Sequence, residues 1–227
     1  MATQISPEEL IDPDLVLSEH TLNALKEFYA ETSSRLNADD SKDTDIQENW
    51  QLSQFWYTED TSQYLCDEVI HALGDHKTRK SIACISCPTL FDKLFKKLSQ
   101  EENNSIDLVL FEFDRRFEAK YSSGYVFYDY NEPIDDHMKE RFKEQSFDVV
   151  IADPPFLSEE CMRKTSQTIR YLAMDKILVC TGAVMRDVLA ECLQLEECLH
   201  FEPKHNRNLG NEFKCFSNFL LRQLPHK

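Results

Sequence analysis

From about residue 60 to residue 195, short apolar segments alternate with longer amphipathic ones. The apolar segments predict strands at KSIACIS (80–86), IDLVLFEFD (106–114), YVFYDYN (125–131), FDVVIAD (147–153) and KILVCTG (176–182). The amphipathic segments predict helices at 58–73, 89–100, 134–145, 158–173 and 183–195. Two further strands are predicted at 199–205 and 211–224. Because parallel strands need long crossover connections, this alternation predicts an open, mostly parallel α/β sheet that ends in an antiparallel pair.

The first 45 residues differ in character from the rest of the chain. Residues 17–32 have apolar side chains at helical spacing after Ser18, a residue type that favours helix N-caps, and so predict an amphipathic helix. Residues 37–49 are polar and acidic without periodicity, which is typical of a linker. We therefore predict a helical N-terminal extension and linker at 1–45, followed by the main domain at 46–227.

The charge of the chain is strongly and unevenly negative. The net charge is −16, and residues 1–60 carry 14 acidic against 3 basic side chains. Such a surface repels the phosphates of nucleic acids and suits a basic protein partner. The alternative is a solvated acidic face that only aids solubility. No apolar run approaches the roughly 18 residues of a membrane span, so we expect no membrane contact and a cytoplasmic or nuclear location.

The eight cysteines are scattered, and most lie inside apolar segments, which is typical of buried free thiols in a reducing compartment. Cys84 and Cys87 form one C-x-x-C pair. A structural zinc site would need a second pair of Cys or His at matching spacing, and none is present in the sequence, so we predict no metal. A redox function for the pair remains an alternative.

Sheets of this kind bind ligands beyond the carboxyl ends of their strands. The turn after the first predicted strand, SCPTL (86–90), contains no glycine, and the chain has neither a dinucleotide fingerprint nor a Walker A sequence. The turn therefore disfavours binding of nucleotide phosphates but permits a ligand without them.

Acidic residues end the next two predicted strands. Glu112 and Asp114 follow the second strand, where a carboxylate can bind ribose hydroxyls, and we prefer Asp114 for this contact. Alternatively, Asp114 pairs with Arg115 or caps a helix. Asp129 lies between two tyrosines after the third strand, where a carboxylate can accept an amine hydrogen bond and a ring can stack on a purine.

The fourth predicted strand ends in Asp153-Pro154-Pro155-Phe156. The two prolines end the strand, and Pro155 holds Pro154 in an extended conformation. The Pro154 carbonyl and the Asp153 side chain then offer two acceptors for the hydrogens of one amino group, while Phe156 can cover the group that bears it. The simpler alternative is a strand stop with an Asp turn.

These residues resemble the D/N-P-P-F/Y signature of S-adenosylmethionine-dependent amine methyltransferases. The wider sequence resembles the eukaryotic lysine methyltransferases of translation elongation factor 1-alpha, formerly labelled N6-adenine methyltransferases. The resemblance covers roughly residues 45–227 and is carried by QFWY (54–57), FEFDRRF (111–117), FYDYNEP (127–133), DPPFLSEEC (153–161), TG (181–182) and HNRNLGNEFKCFSNF (205–219). It implies a Rossmann-like class I fold of seven strands, with the seventh antiparallel to the sixth. It also implies S-adenosylmethionine as cofactor and a lysine of elongation factor 1-alpha as acceptor.

The candidate site residues join these observations to the resemblance. The expected catalytic residues are Asp153, Pro154, Pro155 and Phe156. The expected cofactor-binding residues are Ser86, Cys87, Glu112, Asp114, Asp129, Tyr130 and Asp153. The expected substrate-binding residues are Phe156, Trp56, Tyr57 and Asn211. For QFWY the alternative is a buried aromatic anchor. Two other functions stay open, an N6-adenine nucleic-acid methyltransferase and a non-catalytic module on a decayed fold, and we expect a monomer.

Overall fold

A computed structural model describes residues 46–74, 79–100, 106–207 and 209–225. The strands are β1 Lys80–Ile85, β2 Ile106–Glu112, β3 Tyr125–Phe127, β4 Phe147–Ala152, β5 Ala173–Gly182, β6 Glu196–Glu197 and β7 Phe213–Ser217. The α-helices are α1 Glu59–Leu73, α2 Pro88–Leu98, α3 Arg116–Tyr121, α4 Asp136–Arg141, α5 Glu159–Leu172 and α6 Arg186–Leu193. Short 3-10 helices span Trp50–Leu52 and Ala183–Met185.

The seven strands form one sheet in the order β3-β2-β1-β4-β5-β7-β6. The pairs from β3 to β5 are parallel, and β7 runs antiparallel to both β5 and β6. The prediction of a mostly parallel sheet with an antiparallel last strand is confirmed. Because β1 has β2 on one side and β4 on the other, the strand order reverses between β1 and β4, and ligands of such sheets bind at this point.

The core lies on both faces of the sheet, which explains why the central strands are apolar at almost every position. In β1, Ile82 and Cys84 pack into one cluster of buried side chains, while Ala83 and Ile85 pack into the other. A strand covered on both faces cannot alternate apolar and polar residues, since neither face meets water. The near-continuous apolar runs of β1 and β4 therefore identify them as interior strands.

Side chains before the longer helices fix where these helices begin. The Thr58 hydroxyl accepts a hydrogen bond from the Thr61 amide at the start of α1, and Ser158 does the same for Cys161 at α5. Such N-caps satisfy amides that have no partner within the helix. Helix α2 instead begins with Pro88, whose missing N–H costs nothing at this position.

The predicted strand at 199–205 is wrong, because the partner of β7 is the two-residue strand Glu196–Glu197. The main chain at the end of the predicted strand bonds instead to residues before α1. The Thr58 amide donates to the Lys204 carbonyl at 2.9 Å, and Tyr57 forms an isolated bridge with His205. The end of this segment therefore pairs with a distant part of the chain and not with the sheet.

The predicted strand at 211–224 is too long, since only Phe213–Ser217 pairs in the sheet. The following residues turn back onto α1, where the Glu68 carboxylate accepts hydrogen bonds from the amides of Arg222, at 2.8 Å, and Gln223, at 2.6 Å. Leu221 and Leu224 are buried in the same core cluster as the apolar side of α1. Their apolar character reflects this packing rather than a strand.

Three other segments differ from the predictions in detail. Helix α3 was not predicted, because its six residues are too few to show a helical period. The helix predicted at 134–145 ends at Arg141, and the helix predicted at 183–195 begins as a 3-10 turn. The predicted N-terminal helix and the linker up to residue 45 lie outside the described residues, so the division at residue 45 stays a prediction.

No helix among the described residues is long and apolar enough to cross a membrane.

Candidate active site

A cavity of about 530 Å³ lies at the carboxyl ends of β1 to β4. Its lining comes from residues 52–57, 86–89, 112–113, 128–131 and 153–157, together with His205, Leu209, Gly210, Asn211 and Phe213. The cavity thus brings together every predicted site residue except Asp114. This volume is in the range of sites that hold a drug-sized ligand. The roles assigned to the individual residues stay predictions.

The backbone conformation of the turn after β1 explains how the chain can turn sharply there without a glycine. Ser86 adopts a left-handed backbone with φ of 53°, and its amide donates to the Phe111 carbonyl at 2.8 Å. Glycine most often occupies such a conformation, because other side chains are strained there. Ser86 therefore makes the sharp turn from β1 into α2 that a glycine-rich sequence makes elsewhere.

The two acids at the end of β2 face different surroundings. Glu112 lines the cavity, and Oε1 accepts hydrogen bonds from the Asp114 amide at 3.0 Å and from Gln54 Nε2 at 3.3 Å. Burial, and to a lesser extent the charge of Asp114, raise the pKa of Glu112 to about 7. A carboxyl group with this pKa is partly protonated near neutral pH, so it can either accept or donate a proton.

Asp114 is committed to other protein groups. Its carboxylate accepts from the Arg116 amide at 3.0 Å, which starts α3, and forms a salt bridge with the Arg116 guanidinium at 2.5 Å. Burial opposes ionisation of Asp114, but the hydrogen bonds from Arg116 outweigh it and hold the pKa of this carboxyl below its ordinary value. The helix-capping alternative therefore describes Asp114, with Arg116 rather than Arg115 as the charged partner.

Residues 46–58, which we call the strap, bind both of these acids through Gln54. The Gln54 amide donates to Glu112 and, at 3.1 Å, to Asp114, while Arg116 Nη2 donates to Gln54 Oε1 at 3.1 Å. Gln54 is buried, so it fixes the strap against the end of β2. Sequence reasoning missed this role because nothing local to QFWY indicates a partner about 60 residues away.

The strap also reaches the end of β4. The Tyr57 hydroxyl donates a hydrogen bond to Asp153 Oδ2 at 2.6 Å. Burial raises the pKa of Asp153 to about 7, against the lowering effect of the Tyr57 hydrogen bond. Burial and the charge of Asp153 raise the pKa of Tyr57 well above its ordinary value, so Tyr57 stays protonated and can donate this hydrogen bond. The Asp153 amide donates to the Ile85 carbonyl at 3.0 Å, which ties the turn to β1.

Aromatic rings supply much of the apolar wall. Phe156 is 40% exposed and meets Tyr130 edge-on, with ring centroids 5.9 Å apart. Trp56 packs edge-on against Phe117 with centroids 6.4 Å apart. Phe113, between the two acids of β2, lines the cavity and is 48% exposed. A solvent-exposed aromatic ring beside a carboxylate suits a flat ligand with hydroxyl groups. Sequence reasoning did not identify Phe113 as a site residue.

Two polar residues complete the lining near β3 and β7. Asp129 Oδ1 accepts from the Asn131 amide at 2.8 Å and so closes the turn after β3. Asn211 lies in the segment that connects β6 to β7, and this segment also brings His205 into the lining. His205 packs against Tyr57 with ring centroids 4.9 Å apart, and burial lowers its pKa to about 4. His205 is therefore neutral near pH 7, a further contact that the sequence did not indicate.

All eight cysteines are free thiols, and only Cys192 is not buried. Cys87 caps α2, where its thiol lies 3.7 Å from the Ile151 carbonyl, and burial raises its pKa well above the ordinary value. A high pKa suppresses the thiolate that redox chemistry uses, so the burial of Cys87 disfavours the redox alternative for the C-x-x-C pair. No group of three or more His, Cys, Asp or Glu in the described ranges could hold a metal ion.

The strand order, the antiparallel β7 and the cavity beside the reversal point define a class I methyltransferase fold. The chain belongs to the family described as probable N6-adenine methyltransferase, whose sequence model matches residues 48–221.

Similar proteins include the EEF1A lysine methyltransferase 1 of Mus musculus and of Homo sapiens. Each is 48% identical over 206 residues, which cover 89% of this chain and 91% of the relative. Among solved structures, a branched-chain polyamine synthase mutein from Thermus thermophilus, bound to N4-aminopropylspermidine and 5'-methylthioadenosine, matches with a TM-score of 0.52 at 13% identity. That match covers 90% of this chain and 65% of the synthase, and it supports the fold alone.

Proposed function

We propose that this protein is a protein-lysine N-methyltransferase that transfers methyl groups from S-adenosylmethionine to a lysine of translation elongation factor 1-alpha. The observation that carries the proposal is the meeting of the Asp153–Phe156 turn and the Glu112 carboxylate in one cavity. The names of relatives at 48% identity support elongation factor 1-alpha as the substrate.

The cofactor fits the half of the cavity formed by β1, β2 and β3. Glu112 offers a carboxylate to ribose hydroxyls, and Phe113 beside it offers an exposed ring to the adenine. Asp129 and Tyr130 line the same side from the end of β3. Asp114 was preferred for the ribose contact, but its bonds to Arg116 and its place outside the lining now favour Glu112.

The acceptor amine fits the end of β4. Asp153 and the Pro154 carbonyl offer two acceptors to the hydrogens of a neutral amine, and this aims the nitrogen lone pair away from both. Phe156, Trp56 and Asn211 line the same cavity, where the body of a lysine side chain can contact them. When bound, S-adenosylmethionine would supply a sulfonium methyl group. The amine nitrogen would form a bond to this methyl carbon with its lone pair, and the electron pair of the broken C–S bond would stay on sulfur.

The chain's own contribution is positioning. An exposed lysine has a pKa near 10.4 and must first lose a proton, either to solvent or to a neighbouring base. Asp153, whose pKa burial raises to about 7, then holds the neutral amine in line with the methyl group. Correct orientation of two reactants removes a large entropic part of the barrier, so a misplaced amine should slow transfer greatly.

Methylation of adenine in nucleic acid is the second candidate, and the family description favours it. It requires attraction to phosphates, whereas this chain carries a net charge of −16. The third candidate, a binding module without activity, was suggested by the glycine-free turn after β1. Ser86 makes that turn in a left-handed conformation, which removes the reason for expecting a decayed site.

We further propose that the protein works in the cytoplasm as a monomer. Eight free cysteines fit a reducing compartment, where thiols are not oxidised to disulfides.

The test is a labelled-methyl assay with purified elongation factor 1-alpha, DNA and RNA as separate acceptors. We expect transfer to the protein, and Asp153→Ala should cut turnover by about a hundredfold or more while cofactor affinity stays within about threefold. Asp153→Asn, which keeps one acceptor oxygen, should retain more activity than Asp153→Ala. Equal rates on nucleic acid would favour the adenine methyltransferase. If calorimetry detects no binding of S-adenosylmethionine, the binding module without activity is favoured.

A further inference from the structure

Tyr57 makes a hydrogen bond that the proposed chemistry has not yet used. Its hydroxyl lies 2.6 Å from Asp153 Oδ2, and the two residues are 96 positions apart in the chain. Tyr57 is 4% exposed, so its ring is not an open wall for a substrate cation. Any contribution of Tyr57, one of the expected substrate-binding residues, must therefore come from its hydroxyl rather than from its ring face.

The surroundings of Tyr57 fix where its hydroxyl points. Its main chain bridges His205, and on either side the Asn206 amide donates to the Trp56 carbonyl at 2.8 Å and the Thr58 amide donates to the Lys204 carbonyl at 2.9 Å. The His205 ring packs on the Tyr57 ring. Because the main chain of Tyr57 is held on both sides and its ring packs on His205, the phenol has little freedom to move, and we expect the Asp153 carboxylate to adapt to it.

We propose that Tyr57 is a positioning residue for Asp153. The Tyr57 hydroxyl donates a hydrogen bond to Asp153 Oδ2 and thereby aims Asp153 Oδ1 at the acceptor nitrogen. This role rests on the proposed function, since it matters only if Asp153 holds an amine. The main-chain bond from Asp153 to Ile85 fixes the backbone, and the Tyr57 bond fixes the remaining freedom of the side chain. A carboxylate with one oxygen anchored presents the other in a single direction, which is what a positioned reaction needs.

The hydrogen bond also affects the charge of Asp153. Donation to a carboxylate favours its ionised form, so loss of the hydroxyl should raise the pKa of Asp153 above about 7. Titratable groups face Asp153 and Tyr57 from the surrounding elements, namely Glu112, Asp129, Cys87, Cys180, Cys215 and His205. The hydrogen bond to the carboxylate comes from the Tyr57 hydroxyl and not from any of these groups.

The test compares Tyr57→Phe with Tyr171→Phe. Tyr171 donates its hydroxyl to the Phe142 carbonyl at 2.8 Å and does not line the cavity, so Tyr171→Phe loses a similar bond elsewhere. We expect Tyr57→Phe to lower kcat about 10- to 100-fold at neutral pH and to move the acid limb of the kcat profile to higher pH. The affinity for S-adenosylmethionine should stay within about twofold, and Tyr171→Phe should leave the pH profile unchanged.

A double-mutant cycle separates positioning from general damage. In the Asp153→Asn background, Tyr57→Phe should add little further loss of kcat, because the charged partner is already gone. Additive losses, or an unmoved acid limb in Tyr57→Phe, would overturn the inference. If Tyr57→Phe does not fold, 3-fluorotyrosine at position 57 keeps the ring and donates more strongly, so the acid limb should move to lower pH. An unmoved limb there would also contradict the proposal.

A measurement without turnover distinguishes this inference from the proposed function. Carboxyl-carbon NMR titration gives the pKa of Asp153 in the wild type and in Tyr57→Phe. A raised pKa in the variant supports the positioning bond even if the wild type fails to methylate elongation factor 1-alpha. An unchanged pKa overturns the inference even if the wild type does methylate it.

Discussion

Gln54 donates a hydrogen bond to Glu112 across 3.3 Å and so ties the strap to the carboxyl end of β2. The same strap reaches Asp153 through Tyr57, so one short segment contacts two of the three carboxylates that line the cavity. The proposed cofactor end and the proposed acceptor end of the site are therefore connected through a segment that lies outside the sheet.

Replacing Gln54 should weaken the cofactor site. Gln54→Leu removes the bonds to Glu112 and Asp114 and leaves their carboxylates short of a buried partner, so S-adenosylmethionine affinity should fall about tenfold. Gln63→Leu is the matched control, because Gln63 bonds Asp67 at 2.9 Å on α1, away from the cavity. Calorimetry on both variants measures the difference. Unchanged affinity in Gln54→Leu would show that Glu112 keeps its position without the amide.

Glu112 and Asp114, at the carboxyl end of β2, should contribute to different properties, namely cofactor affinity and thermal stability. Glu112→Gln should reduce S-adenosylmethionine affinity by about tenfold or more, since it lines the cavity. Asp114→Asn should reduce thermal stability more than affinity, because it loses charge opposite Arg116 at the start of α3. Paired calorimetry and thermal melts measure both quantities. The assignment of Glu112 to the ribose fails if only Asp114→Asn weakens cofactor binding.

The Asp153 carboxylate should lower the free energy of unfolding at pH values at which it is ionised. Its folded pKa of about 7 lies above its ordinary 3.8, so its contribution to the stability of the fold is present below about pH 4 and is lost as the pH rises through 7. Asp153→Asn removes this loss, so the variant's gain in Tm over the cofactor-free wild type should be larger at pH 8 than at pH 5. Each kcal/mol corresponds to about 2–4 °C in a chain of this size.

Asp148→Asn is the control of opposite sign. Burial opposes ionisation of Asp148, but hydrogen bonds from Lys80 and Ser81 prevail and lower its pKa below the ordinary value. Its contribution is therefore present at neutral pH and lost on acidification, so Asp148→Asn should lower Tm at pH 8. A Tm difference for Asp153→Asn that does not vary with pH would contradict the raised pKa.

The negative charge of the chain should speed its association with a basic protein. Residues 1–60 alone carry a net charge of −11, from 14 acidic and 3 basic side chains. Raising salt from low to physiological concentration screens long-range attraction, so kcat/KM on elongation factor 1-alpha should fall while kcat changes little. Initial rates across a salt series measure this effect, with a neutral peptide acceptor as control. A kcat/KM that rises with salt would argue against electrostatic steering.

The sequence by itself determined the parallel part of the sheet and the edge at which the candidate site residues lie. The apolar runs of β1 and β4 mark strands that are covered on both faces, and polar residues follow where each strand meets the edge. These signals are local, because strand period, helix period and strand-ending prolines act over a few residues. They were sufficient to predict that Asp153, Glu112 and Asp129 would share one edge of the sheet.

Only the tertiary structure decided which side chains these acids contact. Asp114 and Glu112 are two residues apart, yet one caps α3 through Arg116 and the other lines the cavity. Tyr57 and Gln54 find their partners 96 and 58 positions away, and His205 reaches the site through a segment that was expected to be a strand. Such contacts depend on how distant segments pack, and packing direction leaves no periodic pattern in the sequence.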